Sequence, residues 1–363
     1  MLNHTRLIQT FLDLVRIDSP SGDEAAIGQY LQAQLNALGL TTEMDAVGNL
    51  VAHTSADPTR GDWLLLSAHM DTVGTDRGIQ PVIRDGVIYS DGSTILGADD
   101  KSGVAAVLEV LTTLQEQALA HPPLEIVISV GEELGLYGAR HLDTSRLRAR
   151  QGIVLDSGGP IGQMVISAPS QNNLRFTVHG VNAHAGTQPE KGVNAIRIAA
   201  EAIAAMPLGR IDTATTCNVG IIEGGTARNI VPDRVKVICE ARSRDNAKLE
   251  ALTAQMVQAF QDAADRYAMP LTAEVARTYS TYQLTEDTPI VQTVATAARA
   301  CGHAVILRAS GGGTDGNIYT AAGIPCVVIS TGMAEVHTTH EHIAIADLTA
   351  SADLLLAVVR SLA

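Results

Sequence analysis

The sequence predicts an α/β fold in two parts, a larger α/β unit interrupted by a smaller α+β unit. Strand-like and helical runs alternate over the first half of the chain, as in a largely buried sheet with helices packed against it. Between 172 and 277 the order becomes strand, helix, strand, strand, helix, strand, that of a ferredoxin-like split unit. After about residue 278 the α/β pattern returns, so the smaller unit is expected to be an insertion in a domain whose chain leaves and comes back. With 363 residues, 46% hydrophobic and 18% charged, the chain has apolar surface for both cores, which excludes wholesale disorder.

In chain order, Leu7, Ile8, Phe11, Leu12 and Val15 recur at helical spacing and predict a helix over 4–17. A second helix is expected over 24–38, stopped by Gly39. The apolar run WLLLSA predicts a strand at 63–68, followed by a helix at 103–117, a strand at 124–130 and the strand GIVLD at 152–156. In the smaller unit NLRFTVHG, NVGII, RVKVICEAR and LTAEVAR are strands, while VNAIRIAAEAIAAM and NAKLEALTAQMVQAFQDAADRYA are helices. The return brings a helix over 288–300, the strands AVILR and PCVVIS, and a terminal helix from about 346.

A formal net charge of −14 argues against nucleic acid or an anionic membrane as partner, since both require a basic surface. Cys217, Cys239, Cys301 and Cys326 have no CxxC spacing and read as reduced packing thiols, so a metal would need histidine and carboxylate ligands. No segment reaches the roughly twenty apolar residues of a membrane span. The N-terminus has no secretory apolar core, which makes the cytoplasm the expected location and the sequon at Asn3 meaningless.

In open α/β sheets ligands collect beyond the carboxyl ends of the strands, so the residues after each apolar run are read first. His69 and Asp71 follow WLLLS, and Asp99 and Asp100 precede a helix; Glu132 and Glu133 follow LEIVISV, Asp156 follows GIVL, and His337, His340 and His342 follow PCVVISTG. Singly these have bland readings, as helix caps or hydrogen-bonded structural histidines. Five such edges bearing only histidine, aspartate or glutamate favour a metal centre. Imidazole and carboxylate without thiolate suit zinc, cobalt or manganese, and two histidines with three carboxylates exceed the needs of one catalytic zinc. Two ions sharing one carboxylate are therefore expected. On extended chain Glu132 and Glu133 face opposite ways, which gives them separate roles. GGGTDG matches GxGxxG, but no βαβ unit surrounds it, and a glycine turn allowing close backbone approach is the reading kept. His53, His121, His141, His179 and His303 read as ordinary surface or core residues.

Through SAHMDTV, GADDKSG, GEELGLYGA, HGVNAHAGTQPEKGVNAI, GGTARNIVPD, GGGTDGN and HTTHEHI, the chain resembles, over nearly its whole length, a co-catalytic dinuclear metallopeptidase family. That family includes peptidase T, carboxypeptidase G, the aminoacylases and succinyl-diaminopimelate desuccinylase. The resemblance implies a zinc-peptidase-like α/β catalytic domain, 1–168 and 279–363, with an inserted ferredoxin-like α+β lid and dimerisation domain at 169–278. It implies His69 and Asp156 on one metal, Glu133 and His340 on the second, and Asp99 bridging them. The residues alone leave His337 and His342 open as substitutes; family spacing selects His340. Asp71 would orient the His69 imidazole, Glu132 would be the general base, and the Asp99–Asp100 peptide would be cis. In the lid, His184 would reach a partner's site to stabilise the oxyanion, and Asn229 and Arg242 would contact substrate, with Arg244 the alternative to Arg242. Gly312 and Gly313 would lay their backbone against the substrate.

The implied activity is hydrolysis of peptide bonds in short peptides by metal-activated water, as in an aminopeptidase. GIPCVVISTGMAEVHTTHEHI aligns without gaps with the corresponding stretch of peptidase T. Relatives use the same site as carboxypeptidases or N-acyl-amino-acid amidohydrolases, which is the alternative; a non-catalytic metal-binding protein is a further one. Two divalent ions, zinc first and then cobalt or manganese, a short peptide substrate and a homodimer through the lid complete the expectation.

Overall fold

The computed structural model describes residues 1–55 and 61–363. The chain divides into two compact units, Met1–Ser167 with Gln283–Ser310 and Thr314–Ala363, and Ala168–Tyr282 with Gly311–Gly313.

In the larger unit the apolar runs become strands because both faces are covered: every residue of Leu64–His69 and of Leu124–Ser129 is buried. These two strands are parallel, with His69 opposite Ser129, and Leu64–His69 also runs parallel to Gln151–Ser157. Cys326–Ser330 continues the parallel set beside Gln151–Ser157. His69, the Gly131–Glu133 exit and Asp156 therefore share one carboxyl edge, the side on which such sheets bind ligands. Antiparallel Leu50–His53 and Thr41–Met44 extend the sheet past Leu124–Ser129. The helix Ala98–Glu116 is buried along most of its length. His4–Val15, capped by the Asn3 side chain, buries Leu7, Phe11, Leu14 and Val15. Arg6 of that helix forks onto buried Glu109 with bonds of 2.7 and 2.9 Å.

The helix expected over 103–117 is found from Ala98, but Asp99 (φ −81°, ψ 105°) and Asp100 (φ −119°, ψ 31°) are not helical, so the regular turns begin after the aspartates. Gly103 is required there. A Cβ on it would stand 2.5 Å from the Leu155 carbonyl and 2.6 Å from Asp100 Oδ1. A small sheet ordered Met333–Ala334, His342–Ala344, Val87–Tyr89, Val82–Arg84 was not legible in the sequence, because runs of two or three residues carry no alternation.

In the smaller unit the long strands Ser170–His179, Thr215–Gly224, Arg234–Ser243 and Leu271–Tyr279 lie in the order fourth, first, third, second, all antiparallel. This is the ferredoxin-like arrangement. Helices Ala195–Ala204 and Asn246–Arg266 bury Ile198, Met256 and Phe260 against Phe176, Val235 and Val237, and the rings of Phe176 and Phe260 stack at 3.9 Å. Among the described residues no helix is long and apolar enough to cross a membrane.

Candidate metal centre

Asp99 lies at the middle of the polar cluster. Its peptide bond to Asp100 is cis. One carboxylate oxygen, Oδ1, is 3.0 Å from His69 Nε2, and the other, Oδ2, is 3.2 Å from His337 Nε2. Asp156 Oδ1 lies 3.9 Å from His69 Nε2, and Glu133 Oε1 lies 2.8 Å from His337 Nε2. Three overlapping sets of donor atoms result: His69, Asp99 and Asp156; His69, Glu132 and Glu133; and Asp99, Glu133 and His337.

The histidine that meets Glu133 is His337, not the His340 expected from spacing. His340 is exposed and belongs to none of the three donor sets. His342 turns its ring onto Tyr89, at 5.2 Å between centroids. The loop is anchored by Glu341, 1% exposed, whose carboxylate accepts the N–H groups of Leu96 (2.8 Å), Gly97 (2.8 Å) and Asp99 (3.0 Å). His340, in the turn closed by the Glu341 N–H on the Thr338 carbonyl, is left exposed. The preceding loop, with His337 at φ 65°, brings that ring to the cluster.

Asp71 organises more than the one imidazole assigned to it. Its Oδ1 is 3.3 Å from His69 Nδ1 and accepts the Glu132 N–H at 2.9 Å, while Oδ2 accepts the Glu133 N–H at 3.2 Å. The two glutamates are not on extended chain, as the sequence reading had them. Gly131 is left-handed (φ 56°) and Glu132–Leu134 forms a single 3₁₀ turn, which sends both carboxylates to the same cluster. Asp100 is a brace: its Oδ2 accepts the His69 N–H and its Oδ1 the Gly103 N–H, each at 3.2 Å.

Burial pushes the Asp100, Asp156 and Glu132 carboxyls well above the usual range. Neighbouring negative charges add to this, and His69 opposes it. Burial alone would lower His69, but its bonds to Asp71 and Asp99 raise it, and contacts with Asp99 and Glu133 bring His337 up to about 10. Asp99 is held low despite burial, because two imidazoles donate to it. Glu133 Oε1 is buried and makes no hydrogen bond, although His337 Nε2 lies 2.8 Å from it. An orphaned oxygen among converging carboxylates and imidazoles fits divalent cations, which supply the positive charge the protein omits.

The residues expected in the lid lie in the smaller unit. His184 pairs with Ile230 as an isolated bridge, and Asn229 O accepts the Ala185 N–H, so His184 and Asn229 share one loop pair. His184 Nδ1 accepts the Gly186 and Thr187 N–H groups at 3.1 and 3.2 Å, which assigns the proton to Nε2 in the neutral ring. Arg242 directs its fork to Glu240 at 3.0 and 2.9 Å, and Arg244 donates to the Thr213 carbonyl. Gly312 and Gly313 group with the smaller unit; a Cβ on Gly313 would strike the Tyr279 ring at 2.4 Å.

Sequence reasoning missed Asp315, two residues after Gly313. It is 2% exposed, receives the Ser129 hydroxyl on Oδ2, and leaves Oδ1 buried without a hydrogen bond. An acidic residue two positions after a glycine run, at the start of a helix, was the available signal.

A parallel sheet whose carboxyl edge gathers this donor set defines a hydrolase of the metallopeptidase class. The sequence matches Peptidase family M20/M25/M40 over residues 65–361, and the chain belongs to that family. It is similar to a tripeptidase from Staphylococcus aureus, whose crystal structure superposes with a TM-score of 0.93 at 38% identity over 100% of this chain and 99% of that one. Aminopeptidase PepT from Bacillus cereus gives a TM-score of 0.88 at 41% identity over 99% of each chain. Peptidase T of Vibrio cholerae is 28% identical over 275 residues, which span 74% of this chain and 66% of that protein.

Proposed function

We propose that the chain is an aminopeptidase of short peptides, tripeptides first, working with two divalent ions, zinc foremost. His69 and Asp156 would hold one ion, Glu133 and His337 the other, with Asp99 between them. The observation carrying this reading is Asp99, whose two carboxylate oxygens face two different imidazoles. Likeness to the tripeptidase and to PepT over nearly the full chain supports the substrate class.

When bound, the ions would acidify a water and polarise the scissile carbonyl. Glu132, 9% exposed and fixed through its own N–H to Asp71, takes the proton of the attacking water and returns it to the leaving amine. His184, with Nε2 as the protonated nitrogen, is suited to donate to a developing oxyanion. Residues 169–278 serve as lid and dimerisation domain in this reading, with Asn229, Arg242, Gly312 and Gly313 contacting the peptide in a cytoplasmic homodimer.

A free tripeptide, its N-acetylated form and its C-amidated form distinguish the possibilities. Hydrolysis of the free and amidated forms, with loss on acetylation, is expected. Cleavage of the acetylated peptide alone would replace the aminopeptidase by an amidohydrolase, and bound metal with no cleavage would leave a binding protein.

A further inference from the structure

The stretch DSPSGDE, residues 18–24, precedes the segment matched by the family, yet it contacts both loops of the centre. Its backbone is fixed against Thr72: Ser21 N–H donates to the Thr72 carbonyl at 3.1 Å, and Thr72 N–H to the Ser19 carbonyl at 2.9 Å. From that position the Ser21 hydroxyl donates to Asp71 Oδ2 at 2.7 Å. Glu24, 9% exposed, accepts the Gly131 N–H at 3.0 Å and the Gly22 N–H at 2.8 Å on one oxygen. Just upstream, the Ile17 carbonyl accepts from the fully buried Lys101, two residues beyond Asp99, at 2.8 Å.

We propose that Ser21 and Glu24 are positioning residues, which set the metal ligands and the base through Asp71 and Gly131. This rests on the reading of the centre given above. Asp71 contacts His69 Nδ1, the Glu132 N–H and the Glu133 N–H with two oxygens, and its carboxylate torsion is intrinsically broad. The Ser21 hydroxyl selects the one rotation that serves all three. Glu24 holds Gly131, the left-handed residue from which Glu132 and Glu133 depart, so a shift there moves base and ligand together. Interactions of this kind are worth about 10- to 100-fold in metal affinity or activity.

The test uses the full chain, freed of metal and titrated with zinc against a chromophoric chelator, with kcat and KM measured separately on a tripeptide. Ser21→Ala and Glu24→Ala are expected to weaken zinc binding and to lower kcat roughly 10- to 100-fold, with KM within about twofold. Ser21→Thr retains the hydroxyl and Glu24→Gln the acceptor, and both are expected to remain near wild type. Alanine variants with unchanged zinc affinity and kcat would overturn the proposal. So would threonine and glutamine variants as impaired as the alanines, since packing alone would then be responsible. Wild-type protein that takes up no zinc would overturn the reading of the centre itself, an outcome separate from indifferent variants on a zinc-binding parent.

Discussion

Glu132 and Glu133 follow a left-handed glycine in one 3₁₀ turn, and their adjacency is tolerable where cations offset buried negative charge. Glu132→Gln keeps the shape and removes the proposed base; kcat is expected to fall about 10²- to 10⁴-fold while metal analysis still finds both ions. His337→Ala is expected to lose one of the two ions and His340→Ala neither, which the same analysis decides. Asp315 offers a test at the level of pH. Burial, with the nearby Asp71 charge adding to it and the Ser129 hydroxyl opposing, raises its carboxyl from 3.8 to about 6. A raised folded value means that its contribution to stability is full below about 3.8 and is lost as pH rises through about 6. Metal-free Asp315→Asn is therefore expected to melt higher relative to metal-free wild type at about pH 8 than at about pH 5.

At the scale of elements, the long strands, the amphipathic helices and the inserted unit were legible because burial on one or both faces imposes a period on the sequence. The three-residue strands, the 3₁₀ turn and the inward turn of Glu341 were not, since each depends on one hydrogen-bonding residue or on partners distant in the chain. The same holds for the centre. His69, Glu133 and Asp156 were visible as polar residues closing apolar runs and Asp99 as one preceding a helix, whereas choosing among three histidines in HTTHEH required partners distant in the chain. Ser21 and Glu24 gave no local signal, because their partners lie 50 and 107 positions away. The first helix can be tested directly: Arg6→Ala leaves Glu109, with a 1% exposed side chain, without its fork. A loss of about 2 kcal/mol is expected by urea denaturation, below the range for a wholly buried pair because Arg6 remains 31% exposed.

For the molecule as a whole, a net charge of −14 and a centre rich in buried carboxylates make the metal-free chain electrostatically loaded. Ions that bind only the folded state stabilise it by roughly 3 kcal/mol at a hundred times their Kd. A chelator is accordingly expected to lower the melting temperature by several degrees, and restored zinc to return it, as scanning fluorimetry would record. An unchanged melting curve would mean that the fold does not depend on its ions.

Glu341 secures its loop with three backbone bonds, while His337, four residues earlier, supplies the donor atom. Holding the loop and facing the cluster are thus separate tasks, carried by different residues. Exchanging His337 for aspartate would leave the anchorage intact while turning one flank of the centre towards all-oxygen coordination, which harder ions such as manganese favour. The loop is in that sense a socket, and metal analysis of His337→Asp would show whether its donor decides which ion this centre takes.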